Sequence, residues 1–206
     1  MLLCCCISVS YAQVKPAIQL REGDLLFQDL NCGPLCDAIE SVTQGVNNKA
    51  FSHCAMVVSI NDTLKVIEAI GKAVQINSIN NFFARSGDTN GIKNITIARL
   101  KKEHDKLIEK AVGFTKKQVG KPYDSEFILN NGSWYCSELI YEAFKKANHN
   151  KAFFALEPMT FKSPATKQFF PAWADYYSEL HKPIPEGKPG INPGLISRSD
   201  KIIIIK

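Results

Sequence analysis

Two residue types that can do chemistry stand at informative places. Cys136 lies in Trp134-Tyr135-Cys136-Ser137-Glu138-Leu139-Ile140-Tyr141, where a helical pattern begins. His53 opens the apolar run His53-Cys54-Ala55-Met56-Val57-Val58, which follows Phe51-Ser52 and reads as a strand. A thiol attacks as its thiolate, and both a helix N-terminus and a neighbouring imidazolium lower its pKa. The imidazole takes the proton and returns it to the leaving group, while a third polar group keeps its ring in register. Amides of the first helical turn lack intrahelical partners and can receive an oxyanion, the Cys136 N–H first among them. Cys136 as nucleophile and His53 as base suggest a cysteine hydrolase. Taken singly, each has a plainer reading, a buried filler thiol and a structural histidine.

The third group is found by register. If Asn61-Asp62 is a two-residue hairpin loop, Ile60 faces Thr63, His53 faces Ile70 and Ala55 faces Glu68. His53 and Glu68 then share one sheet face as diagonal neighbours, and any even loop keeps them there. Val66-Ile67-Glu68-Ala69-Ile70 is apolar on both sides of the carboxylate, so Glu68 needs a partner unless its strand face is open to solvent.

Other elements must hold these residues. Leu25-Leu26-Phe27 is a short strand after Glu22-Gly23-Asp24, and 37–43 a short helix after the Gly33-Pro34 turn. Residues 51–60 and 64–70 are strands, 74–76 continue the sheet, and Ile95, Ile97 and Arg99 alternate as a strand does. Apolar residues at 107, 108, 111, 112 and 119, with the partly apolar Thr115, mark a helix that Gly120-Lys121-Pro122-Tyr123-Asp124 stops. A second helix runs from about 133 to 147. An aromatic, proline-rich stretch follows, and Ile202 to Ile205 closes the chain as a central or well-covered strand. This order predicts an α+β domain with a mostly antiparallel sheet.

Composition narrows the classes. The 206 residues fit one domain over 13–206, and the net charge of +5 is spread along the chain. The dilysines at 101–102, 116–117 and 145–146 read as solvated helix faces. No dense basic stripe suits nucleic acid, although mild attraction to an anionic envelope polymer or lipid is open. Residues 1–12 combine an apolar start with a small-residue cut site after Ala12. They read as the end of a signal peptide lacking its basic region, hence an exported protein of the periplasm or cell envelope. An apolar tail on a cytosolic protein and a lipoprotein signal are the competing readings. Cys32 and Cys36 flank a turn and can form a small disulfide in an exported chain. Their spacing lacks the second pair that zinc needs, and neither metal nor organic cofactor is expected. Cys54 is expected to point away from His53 as a buried filler. His104, His149 and His181 are expected at the surface.

The ordered set Gly23-Asp24-Leu25-Leu26-Phe27, Ser52-His53, Val66-Ile67-Glu68-Ala69, Gly120-Lys121-Pro122-Tyr123-Asp124 and Tyr135-Cys136-Ser137-Glu138-Leu139 resembles the YiiX/YebB-like group of the NlpC-type cysteine peptidases. That group has a circularly permuted papain-like fold, in which histidine precedes cysteine, and is related to the lecithin:retinol acyltransferases. The resemblance covers about residues 22–145. It implies Cys136 as nucleophile, His53 as base and Glu68 as the residue orienting the ring. It also implies Tyr123 as a lining residue whose hydroxyl aids the oxyanion, with Tyr135 beside it. An amide bond in cell-wall peptides is the first substrate expectation. Acyl or lipid amides are the second, with Phe82, Phe83, Phe153 and Phe154 either lining an acyl channel or filling the core. A non-catalytic binding protein on the same fold is the third. Residues 31–50, with their Cys-x-x-x-Cys, depart from the family pattern and are expected to wall a cleft.

Overall fold

The computed structural model describes residues 19–30, 32–86 and 95–205. The expected signal peptide at 1–12 lies outside them. A six-stranded antiparallel sheet is built from β1 (Leu25–Gln28), β2 (His53–Ile60), β3 (Thr63–Ile70), β4 (Ala73–Ser78), β5 (Ile95–Leu100) and β8 (Ile202–Ile204), in the order β4-β3-β2-β1-β5-β8. The β2–β3 hairpin pairs Ile60 with Thr63 and Met56 with Ile67, the predicted register. Its two loop residues, Asn61 and Asp62, have φ of 48° and 59°. That is the left-handed pair a two-residue turn requires and that Asn and Asp tolerate.

The period-2 side chains bury both faces. On one face Leu25, Phe27, Met56, Val58, Ile67 and Ala69 pack beneath α3 (Ile108–Lys117) and α4 (Cys136–Ala147). The opposite face, with Leu26, Ala55, Val57, Val66, Ile95 and Ile97, is covered by Phe82 of α2 (Ile79–Ala84). Helix α1 (Pro34–Val42) starts on a proline and packs through Ala38 against Trp173 and Tyr177 of α5 (Pro171–Glu179). A small ribbon pairs β6 (Glu157–Pro158) with β7 (Pro189–Gly190), and α6 (Pro193–Ser197) leads into β8.

Three expectations change. The helix expected from residue 133 starts at Cys136, because Trp134 is bridged to Tyr123 and Tyr135 is extended at φ −89° and ψ 165°. The helix expected from about 103 begins as a 3-10 segment, Lys102–Leu107, before α3. The C-terminal strand is neither central nor well covered. It pairs with β5 at the sheet's margin, and Ile203 is 47% exposed while Ile202 turns into the core. A run of isoleucines buries only alternate side chains on an edge strand. Elsewhere Asp24 proves to be an anchor: its buried carboxylate takes a paired hydrogen bond from Arg99, at 2.7 and 2.8 Å.

Candidate active site

Cys136 is the first residue of α4, and His53 the first of β2. Both are buried, at 7% and 3% exposure. The His53 ring lies on the α2 side of the sheet, 6.0 Å from the Phe82 ring centroid, while Cys136 belongs to the cluster on the α4 side. The end of β2 is where a side chain can reach round the sheet and join the two. His53 Nε2 is 2.6 Å from Glu68 Oε2, and Cys136 is the other group that acts on the ring.

Glu68 is fully buried and heavily held. The Arg85 guanidinium donates to both of its oxygens at 2.7 and 2.6 Å, and the Asn77 amide donates to Oε1 at 2.8 Å. Burial alone would protonate this carboxyl, but the His53 and Arg85 hydrogen bonds win and hold it ionised down to about 2. Burial likewise disfavours a charged His53. Its hydrogen bonds to Cys136 and Glu68 overcome that and push the imidazole up to about 9. Cys136 is held well below the ordinary thiol value, first by a hydrogen bond from the Cys54 thiol and, against burial, by His53. At neutral pH the pair therefore rests as thiolate and imidazolium.

Cys136 lines a cavity of about 180 Å³. Its walls come from α1 (Ile39, Val42), the 120–134 loop (Tyr123, Phe127), the β6–β7 ribbon (Met159, Phe161, Gly190, Ile191) and Trp173 of α5. The lining is largely apolar and aromatic, with Ser52, Glu157, Thr160 and Asn192 as polar points. Phe127 has φ 54°, a left-handed conformation that a bulky residue adopts only when its surroundings impose it. Asp124 imposes it by accepting the Glu126 and Ile128 N–H groups at 2.9 and 2.7 Å. Tyr123 lines the cavity together with Cys136. Tyr135 is buried, and its hydroxyl accepts the Ile191 N–H at 3.3 Å, fixing one cavity wall to the helix start. The Ser137 hydroxyl donates to the Ile191 carbonyl at 2.9 Å, a second tie to that wall.

With this geometry the comparisons fall into place. A model of the permuted papain-like amidases, YaeF/YiiX type, C92 family, matches residues 19–205. The chain belongs to that family. Within the permuted papain-like amidases, it is 27% identical over 131 residues to the uncharacterised protein YiiX of Escherichia coli K12, covering 64% of this chain. The matched stretch spans 60% of that relative's length. The solved structure of YiiX from Escherichia coli O157:H7, described as a metalloprotein, superposes with a TM-score of 0.73 at 21% identity, covering 92% of this chain and 98% of that one. At that identity the likeness concerns the fold. Among the described residues, no three His, Cys, Asp or Glu side chains converge as a metal site would require.

Against this family fold the residue expectations sort clearly. Cys136, His53 and Glu68 come together, and Tyr123 and Tyr135 flank them. Cys32 and Cys36 are joined in a disulfide, and part of the 31–50 segment does wall the cavity. The four phenylalanines do not line it. Phe82 and Phe83 sit on the α2 side, while Phe153 stacks on Phe144 and Phe154 meets it edge-on. Cys54 points away from His53 as expected, but it is no mere filler, because that direction brings it to Cys136. Arg85, Asn77 and Trp173 join the site without a sequence signal. Arg85 follows a helix too short to show a period, and Trp173 lies in a stretch without one.

Proposed function

We propose that this chain hydrolyses an amide bond through an acyl-thioester on Cys136. The observation that carries the reading is Cys136 on a cavity wall and acted on by His53, whose Nε2 is 2.6 Å from the buried Glu68 carboxylate. The thiolate attacks the carbonyl carbon. The N–H of Cys136, free at the helix start, and the Tyr123 hydroxyl stabilise the oxyanion. His53 gives its proton to the leaving amine, and the C–N bond breaks. His53 then takes a proton from water, which attacks the thioester and frees the acid and the thiolate. Glu68 holds the ring in register through both steps. The Cys32–Cys36 disulfide supports an exported location.

The walls support one class of substrate over another. Ile39, Val42, Phe127, Phe161 and Trp173 favour an amide with an apolar acyl or amine group over a charged peptide stem. The reactivity of Cys136 towards a thiol alkylator, measured against pH in wild type, His53→Ala and Cys136→Ala, tests the chemistry. Fast labelling near neutral pH that depends on His53 is expected. Slow labelling that His53→Ala leaves unchanged would sink the enzymatic reading in favour of a binding protein. Turnover of N-acyl amides against cell-wall peptide fragments then tests the substrate, with the N-acyl amides expected to win.

A further inference from the structure

The nucleophile has a second sulfur beside it. Cys54 is the second residue of β2, so its side chain points to the sheet face opposite His53, into the cluster that holds Cys136. Both side chains enter the same buried cluster, and the Cys54 thiol and backbone N–H lie close enough to act on the Cys136 sulfur. Among the described residues these are the two free cysteines, since Cys32 and Cys36 are paired with each other. Their access differs. Cys136 lines the cavity and Cys54 does not. A small molecule entering from solvent therefore meets Cys136 first.

We propose that Cys54 is the resolving thiol of Cys136: a peroxide oxidises the nucleophile, and Cys54 captures it as a reversible Cys54–Cys136 disulfide that switches the enzyme off. The proposal rests on the reading of Cys136 as a thiolate nucleophile. In the first step the Cys136 thiolate attacks one peroxide oxygen and the O–O bond breaks. The departing hydroxide takes the His53 proton, leaving a sulfenic acid, water and neutral imidazole. In the second step the Cys54 sulfur attacks the Cys136 sulfur. The S–O bond breaks, and the leaving hydroxide takes the Cys54 proton to become a second water. Two thiols and one peroxide thus give one disulfide and two waters.

The electrostatics order these events. Burial and the negative charge on Cys136 keep the Cys54 proton in place while the thiolate persists. Oxidation removes that negative charge, so Cys54 gives up its proton more readily as its sulfur attacks. A resolving thiol already in contact also competes with a second peroxide, which would carry Cys136 on to the irreversible sulfinic acid.

The experiment treats the folded protein with a several-fold molar excess of hydrogen peroxide, traps remaining thiols with an alkylator and maps peptides by mass spectrometry. In wild type, Cys54 and Cys136 should lose labelling together and yield a linked peptide, and a mild thiol should restore full Cys136 labelling. In Cys54→Ala and Cys54→Ser, Cys136 should proceed to sulfinic acid that the thiol cannot restore. Two variants guard against a folding defect in either one. A wild type with an alkylator-reactive Cys136, no linked peptide and over-oxidation as fast as Cys54→Ser overturns this proposal alone. A Cys136 inert to alkylator and peroxide alike overturns it together with the catalytic reading.

Discussion

Glu68 has to be charged in a place where a carboxylate would ordinarily take up a proton, and it manages this by sharing its two oxygens among His53, Arg85 and Asn77. Arg85 and the imidazolium therefore compete for one anion. Removing the guanidinium in Arg85→Gln takes away a like charge and leaves the carboxylate to His53. The His53 ring, which releases its proton at about 9, should then hold it to higher pH. An NMR titration of the imidazole measures this directly, and a midpoint that falls or stays fixed would contradict it. The same variant forfeits two charge-assisted hydrogen bonds, each worth about 1.5–3 kcal/mol, so its melting temperature should fall. Glu68 was legible before the fold was known because strand parity is arithmetic: an even hairpin loop puts residues 53 and 68 on one face. Arg85 and Cys54 were not. Their importance comes from a helix and a neighbouring element folding onto them, and neither leaves a local period.

At the scale of elements, the start of α4 decides the chemistry. Beginning at Cys136 rather than three residues earlier, the helix presents the thiol at its first turn, where free N–H groups and the helix dipole favour an anion. Periodicity located the helix but not its first residue, because Trp134 and Tyr135 continue the apolar pattern while belonging to the preceding extended chain. Glu138 secures that start from within. Its carboxyl accepts the Asn130 N–H at 3.2 Å through one oxygen, and the other oxygen is buried without a partner. A charged carboxylate here would oppose the thiolate two residues away. Burial first, and the charge of Asp124 after it, push its pKa up to about 8, so it stays neutral. The sign for stability follows. An unfolded Glu138 ionises near 4.5 and the folded one near 8, so its contribution is complete below 4.5 and is lost as pH rises to about 8. Glu138→Gln keeps the accepting oxygen without the proton to lose. Thermal melts across that range should decline less steeply for the variant than for wild type. Equal slopes would mean that Glu138 is charged in the folded protein. The alkaline loss due to His53, raised from 6.5 to about 9, remains in both proteins and cancels in the comparison.

The whole molecule is needed because the site straddles the sheet. The nucleophile belongs to the helical layer of α3 and α4, whereas the carboxylate that orients its base belongs to the opposite layer under α2. Neither layer can relax without the other noticing. Phe82 is the hinge of that dependence. It is fully buried, lies beside the His53 ring, carries Arg85 over its own ring at 5.3 Å, and offers its carbonyl to the Gln28 amide at 2.7 Å. Phe82→Ala would open a cavity at a cost of about 3–5 kcal/mol and risk the fold itself. Phe82→Leu retains most of the volume and shifts only the support beneath Arg85 and His53. It should lower the rate of Cys136 alkylation at neutral pH several-fold while leaving a cooperative melt, although Phe82 lies on the far side of the sheet from the thiol. If packing under α2 merely stabilised the fold, Phe82→Leu would lower the melting temperature and leave the labelling rate and its pH dependence unchanged. A slowed, pH-shifted labelling would mean instead that the strand end at His53 transmits the state of one layer to the sulfur in the other.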